Sequence, residues 1–434
     1  MIEHRRDSGL VRTLGPWALA ASIVNIIVGA GIFAVPAALA ASIGPYAPLA
    51  FIVCAIAIGS VAICFAEGGS RIATSGGAYG YIEAAFGPLT GYIAGTLLWF
   101  SDALACGSVA AAIADVAVSL TPPAARVALH AAVVIGVIGG MALINLRGVA
   151  TGARLVNGAT ALKLIPLAVF IVAGAGAVRA AHYLPSAAPT TAGLGRALIL
   201  ALFAFTGMEA PLSVSGEVAQ PARNIPRALA IAMLVVTLLY TGIQAIAQGI
   251  LGPALALSKV PLADAMARLS PALSMLMLLG AAMSMLGWLG SDILGTPRML
   301  FAFARDGRLP SSLGRVHPRT HVPHVAISCY AVLATGLALS GTFAELAVLA
   351  TLGSAALYVA GCAAAYRLAR RGVASCGAPL NFRWLKAATV TGIGCMLTMI
   401  ALASWQEIIG LALVIAGSAA LYRVSHRIRP SPAL

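Results

Sequence analysis

The apolar run from Trp17 to Ala41 is long enough to cross a bilayer, yet its centre reads Val28-Gly29-Ala30-Gly31-Ile32-Phe33. Each glycine weakens a helix by roughly 1 kcal/mol relative to alanine, so the helix is expected to break there. Lipid offers no partner for the N–H and C=O groups that a break frees, and the gap must therefore face protein or a watery cavity. A second interruption, Phe205-Thr206-Gly207-Met208-Glu209-Ala210-Pro211, stands in the apolar run that begins near Leu194. Two interrupted spans at corresponding positions point to a polar binding site at mid-membrane. The competing reading is that these glycines only let helices pack closely.

Of the 434 residues 60% are hydrophobic and 9% charged, and the mean hydropathy is +0.97. Such a chain is expected to be an all-α polytopic membrane protein. The net charge of +14 lies in short loops between apolar runs and forms no groove-sized patch, so no nucleic-acid partner is expected. The spacing predicts twelve transmembrane helices, at about 17–41, 46–66, 88–118, 126–146, 154–178, 194–216, 227–251, 272–301, 323–341, 343–366, 384–404 and 406–423. The longest non-apolar stretches are roughly 20 residues, too short for a soluble domain, so residues 1–434 form a single membrane domain.

With the N-terminus in the cytoplasm, 21 Lys and Arg residues fall on the inner side, five on the outer side, and Lys163 within the membrane. The positive-inside rule therefore predicts that both termini are cytoplasmic. The basic start His4-Arg5-Arg6 leads into a run too long for the core of a cleavable signal, so the first span is expected to be retained. Seven cysteines, six of them in apolar runs and none at paired metal-ligand spacing, predict neither disulfides nor a zinc site.

Two inner connections carry further pattern. Ser75-Gly76-Gly77-Ala78-Tyr79-Gly80-Tyr81-Ile82-Glu83-Ala84-Ala85-Phe86-Gly87 has a flexible start and an amphipathic continuation, which predicts an interfacial or re-entrant helix rather than a plain loop. After span eight, Arg298, Arg305 and Arg308 predict a helix that runs on into the cytoplasm. These arginines, with Asp306, are expected to form inner-side ion pairs at a cytoplasmic gate, with Glu217 as a candidate partner, or else to serve topology alone.

Four passages in register resemble the amino acid–polyamine–organocation superfamily of secondary transporters: Gly29-Ala30-Gly31-Ile32-Phe33; Ser75-Gly76-Gly77-Ala78-Tyr79; Phe205-Thr206-Gly207-Met208-Glu209 with Gly216-Glu217-Val218 and Pro221 to Ala228; and Pro297-Arg298 with Ala304 to Pro310. The resemblance implies a 5+5 inverted repeat, about 17–178 and 194–366, with discontinuous spans one and six and two peripheral spans at about 384–423. It further implies that the backbone N–H groups of Ala30, Gly31 and Ile32 receive a substrate carboxylate, as a helix N-terminus suits an anion. Some relatives carry serine at Ala30, so here the backbone does more of that work. The carbonyls of Ile27, Phe203 and Thr206 would receive the ammonium.

Lys163 lies about ten residues into span five, roughly 15 Å deep, beyond easy snorkelling. In the family a lysine in this Lys-Leu-Ile-Pro context stands where sodium-coupled relatives hold a cation, which implies a proton-coupling residue. The alternative is a static lysine bonded to carbonyls of span one. Asp102, Asp292 and Glu209 are acids within spans, and each is expected to face the cavity, pair with a cation or be protonated. They suggest either a cationic substrate or proton carriers; for Asp102 and Asp292 the alternative is helix-packing hydrogen bonds or a pair with Lys163. Phe203 and Phe205 flank the second break as candidate gates, with plain packing as the other reading.

The expected function is a plasma-membrane (inner-membrane) amino acid permease working by alternating access, proton-coupled, with a small amine substrate, the lipid bilayer as its surroundings and no cofactor. The alternative is a cationic amino acid or polyamine exchanger; a membrane-embedded enzyme and a channel stand further off. The enzyme needs polar residues clustered at one membrane face, and His317, His321 and His324 lie together without acids and read as a solvated face. The motifs carry no information on oligomeric state.

Overall fold

The computed structural model describes residues 15–72, 78–119, 122, 125–147, 163–184, 188–209, 212, 218–375 and 377–428. Helices dominate, and there is no β-strand among the described residues. They are α1 (Pro16–Ile27), α2 (Gly31–Ile43), α3 (Ala47–Arg71), α4 (Ala78–Phe86), α5 (Pro88–Ser119), α6 (Arg126–Leu146), α7 (Lys163–Ala177), α8 (Thr191–Phe205), α9 (Pro221–Leu251), α10 (Pro261–Ala267), α11 (Pro271–Gly295), α12 (Pro297–Arg305), α13 (His324–Ser340), α14 (Phe343–Arg370), α15 (Leu385–Ala401) and α16 (Trp405–Ile428).

Local chemistry sets many of the starts. Proline occupies the first turn of α1, α3, α9, α11 and α12, where its missing N–H costs nothing. Thr190 and Ser270 accept backbone N–H groups at the starts of α8 and α11. Thr342 and Glu345 form a reciprocal capping box that begins α14.

Seven helical segments among the described residues are long and apolar enough to cross a membrane, the longest running from Gly31 to Arg71. The chain is a multi-pass membrane protein. Large apolar side chains face outward, among them Ile56 on α3, Leu238 on α9 and Leu413 on α16, as a lipid surroundings requires. The most apolar stretch of α16 is only 6% buried, and this helix packs on α5 and α14 at the rim of the bundle.

The core lies where α1, α2, α3, α8, α9 and α14 meet. Phe51, Phe205 and Tyr240 pack edge-on or tilted at 5.5–6.0 Å between centroids, and Phe65 packs edge-on with Tyr81 and Tyr358. Edge contacts of this kind favour a single arrangement of the rings.

Both of the connections singled out in the sequence contain helix where the pattern predicts it. α4 is amphipathic, with Ala78, Tyr81, Ile82 and Ala85 turned inward, and α12 continues α11 past Thr296. Ser75, Gly76, Gly77, Ala210, Pro211, Gly216 and Glu217 lie outside the described residues. Arg71 is buried at 3% exposure because its guanidinium is fully used: it pairs with Glu67 and donates to Val373 O and to Asn381 Oδ1 at 2.9 and 2.7 Å. The three histidines lie in a turn, where His317 Nδ1 accepts from Arg319 N and Thr320 N and its ring packs edge-on to His324; His321 is exposed and the other two are half-buried.

Candidate functional site

α1 ends at Ile27 and α2 begins at Gly31, so Val28, Gly29 and Ala30 belong to neither helix. The carbonyls freed at this break are met by side chains from three other helices. Tyr240 donates to Ile27 O at 2.7 Å, Ser284 to Gly29 O at 3.1 Å, and Lys163 Nζ to Asn25 O. Buried backbone groups need such partners, and here they come from α9, α11 and α7. The opposite holds for the N–H groups. α2 has no side-chain cap, and among the described residues the N–H groups of Ala30, Gly31 and Ile32 find no hydrogen-bond acceptor. An uncapped helix N-terminus at a cavity attracts an anion.

The second break follows Phe205. Thr206 N donates to Leu202 O and Phe203 O, its hydroxyl donates to Phe203 O at 2.7 Å, and Gly207 then takes φ +106°, a conformation natural to glycine. Glu209 folds back so that Oε2 accepts from Gly207 N at 3.2 Å and from the Tyr358 hydroxyl at 2.8 Å. The two breaks touch: a Cβ on Gly31 would stand 3.0 Å from Ala204 Cα, and one on Gly207 3.1 Å from Ile26 Cγ2.

A cavity of about 820 Å³ opens beside them. Ile27, Gly29, Ala30, Gly31, Asp102, Lys163, Phe203, Thr206, Gly207, Glu209 and Asp292 all line it. Ile32 and Phe205 do not. Ile32 is fully buried in the core, and the Phe205 ring is packed between Phe51 and Tyr240, which leaves it no part in gating or stacking on a substrate. Phe203 does face the cavity and meets Phe343 edge-on at 5.9 Å; Phe343 lines a second, smaller cavity of about 430 Å³ at the other end of the bundle. This ring pair stands between the two cavities.

Not every carbonyl assigned to an ammonium is open. Ile27 O already accepts from Tyr240 and Gly29 N, and Phe203 O from Thr206 N and Oγ1, so each has both lone pairs engaged. Among the described residues no donor reaches Thr206 O, which leaves that carbonyl open.

The acids do not pair with Lys163. Asp292, 8% exposed, accepts from Thr296 Oγ1 at 2.8 Å and from the Tyr330 hydroxyl at 2.5 Å, and Asp102 lies 3.2 Å from the same Thr296 oxygen. Tyr240, Tyr330, Tyr358, Ser284 and Thr296 are thus site residues that the sequence pattern did not assign; the usable signal was a hydroxyl within an apolar span. Trp288 is another, since its ring lies so close over the first break that a Cβ on Gly29 would stand 2.7 Å from Trp288 Cδ1.

Toward the arginine-rich end the cavity is lined by Tyr79, Arg298, Arg305 and Asp306. Arg308 there donates to Tyr79 Oη at 3.1 Å, pairs with Glu83 at 3.3 Å, and stacks over Tyr92 and Tyr422. Burial pushes the Tyr79 hydroxyl up to about 12, although the Arg308 charge pulls the other way, so Tyr79 stays protonated and neutral. The ion pair at this end is Arg308 with Glu83 on α4, a partner that the sequence pattern did not name; Asp306, expected to pair with these arginines, has no ion-pair partner among the described residues, and Glu217 lies outside them. No group of three or more His, Cys, Asp or Glu among them is placed to hold a metal ion.

A multi-pass helical protein with a polar cavity at two meeting helix breaks has the architecture of a membrane transporter. The chain belongs to the amino acid permease family, whose model matches residues 14–403. It is similar to the branched-chain amino acid permease of Bacillus subtilis, 27% identical over 81% of this chain and 80% of that one. The methylthioribose transporter of the same organism is also 27% identical, with 81% of this chain and 80% of that one covered. An uncharacterized transporter of Mycobacterium tuberculosis is 34% identical over 68% of this chain and 67% of its own length.

Proposed function

We propose that the protein is a secondary active amino acid permease that works by alternating access across a plasma membrane. In this reading residues 1–434 form one domain of twelve spans, two inverted repeats of five and two peripheral spans, with both termini cytoplasmic. The observation that carries it is the pairing, in one cavity, of the uncapped α2 N-terminus with the open Thr206 carbonyl. The first suits a carboxylate and the second an ammonium, the two charged ends of an amino acid zwitterion, and the two helices that carry them touch at their breaks. The family model and the permease among the relatives support an amino acid as substrate, while the methylthioribose carrier marks how far substrates range among similar chains.

Lys163 couples transport to protons in this reading. It is 3% exposed, its only hydrogen bond among the described residues runs to the carbonyl of Asn25 on α1, and it lines the cavity, so its charge ties α7 to the broken helix. Loss of its proton would release that tie and let α1 move.

The test is uptake into proteoliposomes of a labelled panel of neutral and basic amino acids and putrescine, with and without an inward proton gradient. Native protein is expected to concentrate an amino acid under the gradient, and Lys163→Ala to lose that response. Uptake that ignores the gradient and needs an amine inside identifies an exchanger instead, and absence of transport for every member of the panel rejects the amino acid reading.

A further inference from the structure

We propose that Asp102, Thr296 and Asp292 form a one-proton carrier built into the joint between α11 and α12. The inference rests on the proton-coupled reading above and adds to it a second proton site in the same cavity, on α5 and α11 rather than on α7, which carries Lys163. Thr296 Oγ1 lies 2.8 Å from Asp292 Oδ1 and 3.2 Å from Asp102 Oδ2. A hydroxyl has one hydrogen and donates to one of them. The other contact closes only when that carboxyl carries a hydrogen of its own and donates it to the threonine oxygen. Asp292 lies nearer to the threonine oxygen and also has the Tyr330 hydroxyl on its second oxygen; two hydroxyl donors converging on it favour its charged form, so it is the acceptor end, and Asp102 is the end that holds the proton. The chain then runs from Asp102 O–H to Thr296 O–H to the Asp292 carboxylate.

The position of this chain is independent of its hydrogen bonds. Asp102 and Asp292 both line the 820 Å³ cavity, and Asp102 is the more exposed of the two. Thr296 is the single residue between α11 and α12 and is followed by Pro297, which breaks the backbone ladder at that point. α12 carries Arg298 and Arg305 along the inner half of the cavity and leads to Arg308, held by Glu83 of α4. A movement of α12 therefore displaces the bridging hydroxyl. The Asp102 O–H bond then breaks, cavity water takes the proton, and Asp102 remains as a carboxylate facing Asp292 without its bridge; reloading reverses each step. The titratable groups that face the pair are Cys106 on α5, Tyr330 on α13, Glu209 at the second break and Tyr358 on α14. The cavity's cations are Lys163, Arg298 and Arg305, and among the described residues none forms an ion pair with either acid.

Two measurements test the carrier. In full-length protein reconstituted in lipid, infrared spectroscopy is expected to show the carbonyl stretch of a protonated carboxylic acid, and Asp102→Asn to lack it. If the native protein has no such band, or Asp102→Asn retains it, the proposal is overturned whatever the transport assay gives. In proteoliposomes, gradient-driven accumulation of labelled L-leucine, or of the panel member with the fastest counterflow, is divided by each variant's own counterflow rate. Asp102→Asn and Thr296→Val are expected to lower this ratio about tenfold or more, the scale of one hydrogen bond to a charged group, and Thr296→Ser to hold it near native. A native-like ratio in Asp102→Asn, or an equal loss of accumulation and counterflow in both Asp102→Asn and Thr296→Val with protein that elutes like native, overturns the carrier. Absence of counterflow for every compound rejects the permease reading instead, and the infrared band then decides the carrier alone.

Discussion

Gly31 and Ala204 bring the two broken helices into contact at their breaks: a Cβ on Gly31 would stand 3.0 Å from the Cα of Ala204, a backbone atom that cannot swing aside. Gly31→Ala is therefore expected to push α2 away from α8. Overpacking of this kind costs about 1–3 kcal/mol. If that cost falls on the substrate-bound arrangement, affinity drops roughly 5- to 150-fold. Equilibrium binding of the transported amino acid checks it, and the melting temperature of the purified protein tells a binding defect from general destabilisation.

Gly29 meets a side chain instead, since its Cβ would stand 2.7 Å from Trp288 Cδ1. Side chains can yield where backbone cannot. Gly29→Ala is expected to impair uptake, and Trp288→Phe, with its smaller ring, to restore part of it in the double variant. The Gly31 defect has no such partner, so the same second substitution leaves Gly31→Ala unimproved; uptake rates of the four variants decide the point.

Tyr240 stabilises the first break from a distance of 213 residues in sequence, through its 2.7 Å bond to Ile27 O. In Tyr240→Phe that carbonyl loses one of its two donors in a fully buried setting. The expected loss is about 1–3 kcal/mol of stability, read as a lower melting temperature in detergent. The ring itself is kept, so its packing with Phe51 and Phe205 should persist.

Arg308 clamps α4 to the segment after α12 by a fork to Tyr79 and Glu83. Arg308→Lys keeps the charge but not the fork or the stacking on Tyr92 and Tyr422. Faster amide hydrogen exchange over residues 78–86 is expected in Arg308→Lys and more so in Arg308→Ala. Because Tyr79 stays protonated up to about 12, that exchange, once corrected for its intrinsic pH dependence, should show no inflection near the ordinary tyrosine value.

Local signals made much of this fold legible. The paired glycines marked the first break within a residue or two of Val28 to Ala30, and the apolar run of span four ended where α6 ends, at Leu146. For Phe205 the sequence left gating and packing both open, because spacing does not say which way a ring turns once a helix has ended; the space between Phe51 and Tyr240 took it. The hydroxyls of Tyr240, Ser284, Tyr330 and Tyr358 were illegible for a related reason. Each closes a contact with a residue far away in the chain, and a lone tyrosine or serine in an apolar span looks the same whether it caps a carbonyl or packs against lipid. The acids were legible as costly residues that need company, while Thr296, which joins two of them, carried no charge to betray it.

The central claim is that the α2 N-terminus reads a carboxylate while the Thr206 carbonyl reads an ammonium. Its most direct measurement is competition binding to the purified protein, with the transported amino acid set against its decarboxylated amine and its N-acetyl derivative. Both analogues are predicted to bind about tenfold or more weakly, since each leaves one end of the site unpaired. Either analogue competing as well as the amino acid itself would contradict the claim.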